Sequence, residues 1–238
     1  DRAGSKVVGG YADNPRRGLP FIRANLLLTD PRTGFLRAVM AGDWISDMRT
    51  GAQPAVAARH LAARTGVVTF IGAGLQATTS LQCMSRLLPL EEVRVCDLKS
   101  EARSRFIARF AGSSFRLVDC ADREAACRVA DVIVTVTTAD EPLVEEPWVK
   151  QGALVMTMGS YTETSDDVCL RADRLMADHL GQAMHRGNFK ELVDKGALTP
   201  ASFAAEITEV VAGRKRGRGH ADERIVLAIV GMGCLDLS

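Results

Sequence analysis

Three small residues and one acid carry the clearest chemistry in this sequence. Gly72, Gly74 and Ala77 stand in a GxGxxA pattern inside the run Val67-Val68-Thr69-Phe70-Ile71-Gly72-Ala73-Gly74-Leu75-Gln76-Ala77. The apolar run reads as a buried strand, the glycines as a turn, and Leu75 onward as a helix. A dinucleotide pyrophosphate suits such a site. Gly72 permits the tight turn, Gly74 puts no side chain between backbone and phosphate, and Ala77 lets helix and strand pack closely. The N–H groups of the first helical turn, at Leu75 and Gln76, lack helical partners and favour an anion.

Glycines at this spacing also occur in ordinary strand-to-helix turns, so the acid matters. Asp97 ends a second apolar strand, Glu92 to Cys96, and lies 23 residues beyond Gly74. That is close to the spacing of about 20 expected for the carboxylate that binds the ribose hydroxyls. A carboxylate repels a 2′-phosphate, which favours NAD over NADP, whereas neighbouring Arg94 and Lys99 pull the other way. A third strand, Asp131 to Val136, ends in Thr137 and Thr138, small polar residues of the kind that a doubly wound sheet turns towards a nucleotide.

The rest of the chain must position these residues. Ser5 to Tyr11, Ile22 to Leu28 and Leu36 to Met40 read as strands of a small β-containing domain, the last two joined by the turn-rich Thr29 to Gly34. An alanine-rich helix is expected from Pro54 to about Ala63. Beyond the glycine pattern, helices (Glu101 to Phe110, Asp122 to Val129, Ser202 to Val211) alternate with strands (Phe115 to Val118, Ala153 to Met158, Arg174 to Asp178, Ile225 to Val230). The fold class expected is α/β, a doubly wound parallel sheet (Rossmann) with a partial, discontinuous substrate-binding and dimerisation domain. Its bounds are expected at 1–58, with a nucleotide domain at 59–232 and a return at 233–238. The basic loop Gly213 to Gly219 reads as a solvated connection, with an anion site as the alternative.

Composition excludes several classes of function. Thirty basic and 29 acidic residues leave a formal charge of +1 over 238 residues, so no overall field would recruit nucleic acid or a membrane. No apolar run reaches the roughly 20 residues of a membrane span, and no signal-peptide pattern follows Asp1. Six scattered cysteines without a CxxC pair suit small core residues in a reducing, cytoplasmic setting. Four histidines in no ligand pattern predict no metal site.

In order along the chain, a set of short motifs resembles the ornithine cyclodeaminase/mu-crystallin family. They are Lys6 ahead of Asp13-Asn14-Pro15 and Gly18-Leu19-Pro20; Leu28, Asp30 and Thr33-Gly34; Met48-Arg49-Thr50-Gly51-Ala52; and the glycine pattern. They continue through Ala130 to Ala139, Trp148 to Ala153, and Gly231 to Asp236. The resemblance implies a Rossmann domain beside a domain that carries substrate and dimerises. It also implies hydride transfer between NAD(P) and the α-carbon of a small amino acid or its imine.

By that resemblance Lys6 and Arg49 match the family's substrate-binding lysine and arginine. A bidentate arginine suits an α-carboxylate, and a nearby lysine can hold it or manage a proton at the imine nitrogen. On residue type alone, Lys6 is as readily an exposed strand residue and Arg49 a surface ion-pair partner. The family's catalytic aspartate, counted from Gly152, falls on Tyr161. A phenol with a reference pKa of about 10 cannot stand in for a carboxylate, but it can donate a proton or hydrogen bond. Its alternative is packing against the nicotinamide. Glu163, Asp166 and Asp167 follow closely and are the candidates for a displaced carboxylate. Asp178 is expected either to border the nucleotide or to cap the next helix, and His185 to Asn188 to be helix-end structure. Family members carry a further segment ahead of the one matching Lys6 and a helix after the one matching Asp236, so the substrate domain is expected to lack strands here.

Three functional readings follow. The first is an NAD-dependent oxidoreductase acting on the C–N bond of a small amino or imino acid, a homodimer. The second is a cyclodeaminase that recycles its NAD. The third is a non-catalytic, crystallin-like nucleotide binder, against which the retained lysine and arginine argue.

Overall fold

The computed structural model describes residues 2–237. Among the described residues there are eleven strands: β1 Ala3–Gly10, β2 Ile22–Thr29, β3 Leu36–Ala41, β4 Val67–Ile71, β5 Glu92–Cys96, β6 Arg116–Asp119, β7 Val132–Thr135, β8 Leu154–Thr157, β9 Arg174–Ala177, β10 Phe203–Glu206 and β11 Ile225–Ala228. The α-helices are α1 Asp43–Leu61, α2 Leu75–Leu87, α3 Ser100–Arg109, α4 Arg123–Val129, α5 Asp166–Leu170, α6 Leu180–Ala183, α7 Lys190–Asp194 and α8 Ile207–Val211. The contacts form two compact units, Asp1–Thr50 with Met232–Ser238, and Gly51–Gly231. Asp1 and Ser238, which the expected domain bounds include, lie outside the described residues.

The larger unit is built on an eight-stranded sheet in the order β10-β9-β11-β8-β7-β4-β5-β6. Every neighbouring pair is parallel. The chain runs outward from β4 through β5 to β6, then returns to β7 on the other side of β4. The order reverses there, and in open α/β sheets ligands bind beyond the carboxyl ends of the strands at such a reversal.

Both faces of the sheet are covered, which explains why its strands read as continuous apolar runs rather than alternating ones. Val132 and Val134 of β7 face one core with Phe70, Leu81, Met84 and Phe106. Ile133 between them faces a second core with Val155, Cys169, Phe189 and Leu192. Each large side chain so buried contributes about 1.5–3 kcal/mol.

The smaller unit is an antiparallel sheet in the order β1-β2-β3. Lys6 pairs with Leu26, and Leu26 with Met40. Asp30 accepts the Arg32 and Thr33 N–H groups in the turn before β3, where Gly34 takes a positive φ of 76°. These bonds and the Arg37 guanidinium hold the Asp30 carboxyl below its usual range, the Arg32 N–H acting most strongly.

Three expectations differ from the structure. The helix expected from Pro54 begins at Asp43 and carries Pro54 in its interior. Proline is well suited to a first helical turn and so marked a false start, whereas inside α1 it forgoes one hydrogen bond that packing offsets. The first unit therefore ends at Thr50 and not at residue 58, because Ala55, Ala57, Ala58 and Leu61 of the same helix belong to the core of the larger unit. The helix expected over Ser202 to Val211 is strand β10 followed by α8. The alanines of Phe203-Ala204-Ala205-Glu206 favour a helix locally, but pairing with β9 overrides that preference.

Candidate active site

The glycine loop joins β4 to α2. Gly72 has φ +108°, and a Cβ there would lie 2.5 Å from the Val136 carbonyl oxygen, so only glycine fits. A Cβ on Gly74 would meet nothing within 4 Å. Gly74 is also the N-cap of α2 and has no side chain with which to cap it. Leu75 is exposed, Gln76 half-buried, and Ala77 fully buried where α2 meets the sheet. Asp97, at the end of β5, accepts the Ala73 N–H through Oδ2 at 2.9 Å and the Lys99 N–H through Oδ1 at 2.9 Å. The acid and the glycine loop are thus one hydrogen-bonded assembly at the carboxyl ends of β4 and β5.

On the other side of β4, the ends of β7 and β8 converge on a buried carboxylate. Glu163 is fully buried. Its Oε1 accepts Thr137 N at 2.9 Å and Thr137 Oγ1 at 3.2 Å. Its Oε2 accepts Thr135 Oγ1 at 2.9 Å, Met158 N at 3.2 Å and Gly159 N at 2.7 Å. Asn188 closes the network beneath, with Oδ1 accepting the Glu163 and Thr164 N–H groups. Thr138 is exposed beside this network, while the Thr137 hydroxyl is engaged in it. The turn that it anchors, Gly159-Ser160-Tyr161, leaves Tyr161 53% exposed.

These bonds bear on Glu163 alone among the three acids expected as a displaced carboxylate. Glu163 is committed to five donors and has no capacity to spare for activating water. Asp166 and Asp167 open α5 and border an acidic cleft with Glu145, Glu191 and Lys195, and Lys195 donates to Asp166. Asp178 does not cap α6, whose N-cap is His179. Fully buried, it accepts the His179, Val230 and Gly231 N–H groups and Gln53 Nε2, tying together the ends of β9 and β11 and the middle of α1. Within the basic loop, Arg218 is spent on the carbonyls of Leu61, Ala221 and Glu223.

In the smaller unit, Lys6 on β1 and Arg49 on α1 meet a third residue that the sequence did not single out. Lys6 Nζ lies 2.7 Å from Asp236 Oδ2, and Arg49 Nε lies 3.2 Å from the same oxygen. Ser46, one helical turn before Arg49, accepts from Lys6 Nζ at 3.3 Å. Asp236 closes a short 3-10 turn, Gly233–Asp236, and is buried. Lys6 is therefore no free strand residue, and Arg49 meets a buried carboxylate.

Comparison with known proteins bears on this arrangement. The model of the ornithine cyclodeaminase/mu-crystallin family matches residues 1–238. The chain belongs to the ornithine cyclodeaminase/mu-crystallin family. An alanine dehydrogenase of Archaeoglobus fulgidus is 32% identical over 241 residues, covering 99% of this chain and 74% of its own length. Among solved structures, an archaeal alanine dehydrogenase dimer with bound NAD superposes with a TM-score of 0.93 at 32% identity, over 99% of this chain and 74% of that one. The Thermococcus litoralis Δ1-pyrroline-2-carboxylate reductase in complex with NADH and L-proline gives 0.92 at 28% identity, over 98% and 74%.

Within this family member, several motif residues are structural. Lys150, in the stretch Trp148 to Ala153, donates to Asp131 Oδ1 at 2.7 Å and to the Val129 carbonyl at 2.9 Å, at the amino ends of β7 and β8. Gly51, in the stretch Met48 to Ala52, lets α1 approach α2, since a Cβ there would lie 2.5 Å from the Thr79 carbonyl carbon. Burial pushes the thiols of Cys96, Cys127 and Cys169 up to about 12, which makes them core residues and not nucleophiles.

Proposed function

We propose that this chain is an NAD-dependent oxidoreductase acting on the C–N bond of a small amino acid or imino acid. The observation that carries the reading is that one chain holds both a dinucleotide loop with its acid and a partly buried Lys–Arg pair of net positive charge. A binder of nucleotide alone has no use for the second.

The residues present fit NAD. Gly74 leaves open the space that a Cβ would fill, α2 offers its first-turn N–H groups to the pyrophosphate, and Asp97 is the acid for the ribose hydroxyls. Gly72, Leu75, Gln76, Ala77, Thr137 and Thr138 complete the lining. When bound, the nicotinamide supplies or accepts a hydride at the substrate's α-carbon. Lys6 and Arg49 hold the substrate carboxylate, and Lys6 also manages the proton at the nitrogen. Tyr161, an exposed phenol, donates a hydrogen bond or proton to the imine.

The relatives named above support the same chemistry, since their names describe oxidation or reduction at a carbon bearing nitrogen. The cyclodeaminase reading is the weaker one. Its carboxylate is a tyrosine here, and Glu163 is fully occupied. The description of the archaeal relative as a dimer supports a homodimer. Six free cysteines suit a reducing cytoplasm, and among the described residues no helix is long and apolar enough to cross a membrane.

Product analysis separates the readings. The protein is incubated with L-ornithine and NAD, and separately with 2-oxo acids plus amine, or cyclic imino acids, and NADH. Net change in NADH with one of these substrates is expected. Ammonia release from ornithine at constant NADH would identify a cyclodeaminase instead.

A further inference from the structure

Lys6 and Arg49 account for a carboxylate clamp, yet neither is free to move to its ligand unaided. Both are tied to one oxygen of Asp236, at 2.7 and 3.2 Å. The exposures are graded. The side chains of Lys6 and Arg49 retain 11% and 17% of their surface, and that of Asp236 retains none. A ligand can therefore reach the cations but not the carboxylate beneath them.

We propose that Asp236 is the positioning residue of the substrate site. It fixes the ends of two long, flexible side chains from below and cancels the repulsion between their like charges. Ser46 helps from α1 by accepting a second hydrogen bond from Lys6 Nζ. The segment that supplies Asp236 is remote in sequence, 230 residues after Lys6, so the clamp is complete only when the return segment Gly233–Asp236 is folded into the smaller unit. This inference rests on the proposal that Lys6 and Arg49 bind a substrate carboxylate.

The consequence is specific. With Asp236→Asn the two cations face each other across a neutral amide, and a bound carboxylate must first bring them together. Substrate affinity falls, while the nucleotide loop, which belongs to the other unit, is untouched.

Pyruvate, a simple 2-oxo monocarboxylate, serves as the probe. Its binding to the NADH-loaded protein is measured by isothermal titration calorimetry for the wild type, Asp236→Asn, Lys6→Gln and the double variant, with NADH affinity recorded for each. Asp236→Asn is expected to weaken pyruvate about tenfold or more with NADH affinity held within about twofold. The double variant is expected to be little worse than the poorer single one, because Asp236 acts through Lys6. Asp236→Glu, which keeps the charge, is expected to recover part of the loss and replaces the Asn variant should that one fail to fold. Unchanged pyruvate binding in these Asp236 variants, additive losses, or a parallel loss of NADH binding would overturn the assignment. A wild type that binds NADH but neither binds pyruvate nor turns over any amino or imino acid would instead overturn the carboxylate-clamp reading, and Asp236's role with it.

Discussion

The Asp97 carboxylate accepts the Ala73 backbone N–H at 2.9 Å, so the acid at the end of β5 and the glycine loop at the end of β4 hold each other in place. The same group that is proposed to receive the ribose hydroxyls thus shapes the loop proposed to receive the phosphates. Asp97→Ala is expected to weaken NADH by at least about tenfold and NADPH much less, because the carboxylate's repulsion of a 2′-phosphate goes with it. Fluorescence titration with both nucleotides checks this. Equal losses for the two would remove Asp97 from the ribose site.

Glu163 offers a sharper test of the other side of the switch point. Replacing it by alanine strands the Thr137, Met158 and Gly159 N–H groups, each an unmet donor costing about 1–3 kcal/mol where burial persists. Urea unfolding of Glu163→Ala is expected to show a loss of at least about 3 kcal/mol, and Glu163→Gln a smaller one, since the amide keeps one acceptor. A neutral effect of both would mean that the network does not hold the β7 and β8 ends.

Gly51 sets two magnitudes against each other. In a helix interior, Gly→Ala ordinarily stabilises by up to about 1 kcal/mol. Here the new Cβ would lie 2.5 Å from the carbonyl carbon and 2.7 Å from the Cβ of Thr79. Backbone cannot swing aside as a side-chain tip can, so overpacking of about 1–3 kcal/mol wins and Gly51→Ala is expected to lower the melting temperature. A rise would show that α1 and α2 are not in such close contact.

Tyr161 is expected to act on turnover and not on nucleotide affinity. Tyr161→Phe keeps the ring and removes the proton, so a fall in kcat of about tenfold or more with unchanged NADH binding is expected. Unaltered kcat would leave the ring with a packing role only.

Thiol chemistry reports on burial directly. Cys234 is exposed, while the Cys96, Cys127 and Cys169 thiols are raised to about 12 by burial. At mildly alkaline pH iodoacetamide is expected to label Cys234 first, with the three buried thiols reacting only after denaturation. Fast labelling of Cys127 in the native protein, read by peptide mass spectrometry, would contradict the packing around α4.

The sequence made the nucleotide half legible because its signals are local. The glycines, Ala77 and Asp97 lie within two strand-to-helix turns, and the double burial of β4, β7 and β8 appears as unbroken apolar runs. Pro54 concealed the first half of α1, because its local preference names a helix start and only packing overrides it. Ala204 and Ala205 concealed β10 in the same way. The roles of Asp236 and Glu163 were hidden for another reason. Their partners are distant, Lys6 by 230 residues and Thr135 by 28, and a buried acid shows its partner only once the chain is folded.

Hydride transfer is most directly tested by its label. NADH carrying deuterium at both C4 positions is supplied with whichever 2-oxo acid and amine, or cyclic imino acid, consumes it, and the amino-acid product is examined by mass spectrometry. One deuterium at the α-carbon is the expected result. An unlabelled product, or no consumption of NADH with any member of the panel, would contradict an oxidoreductase acting on the C–N bond.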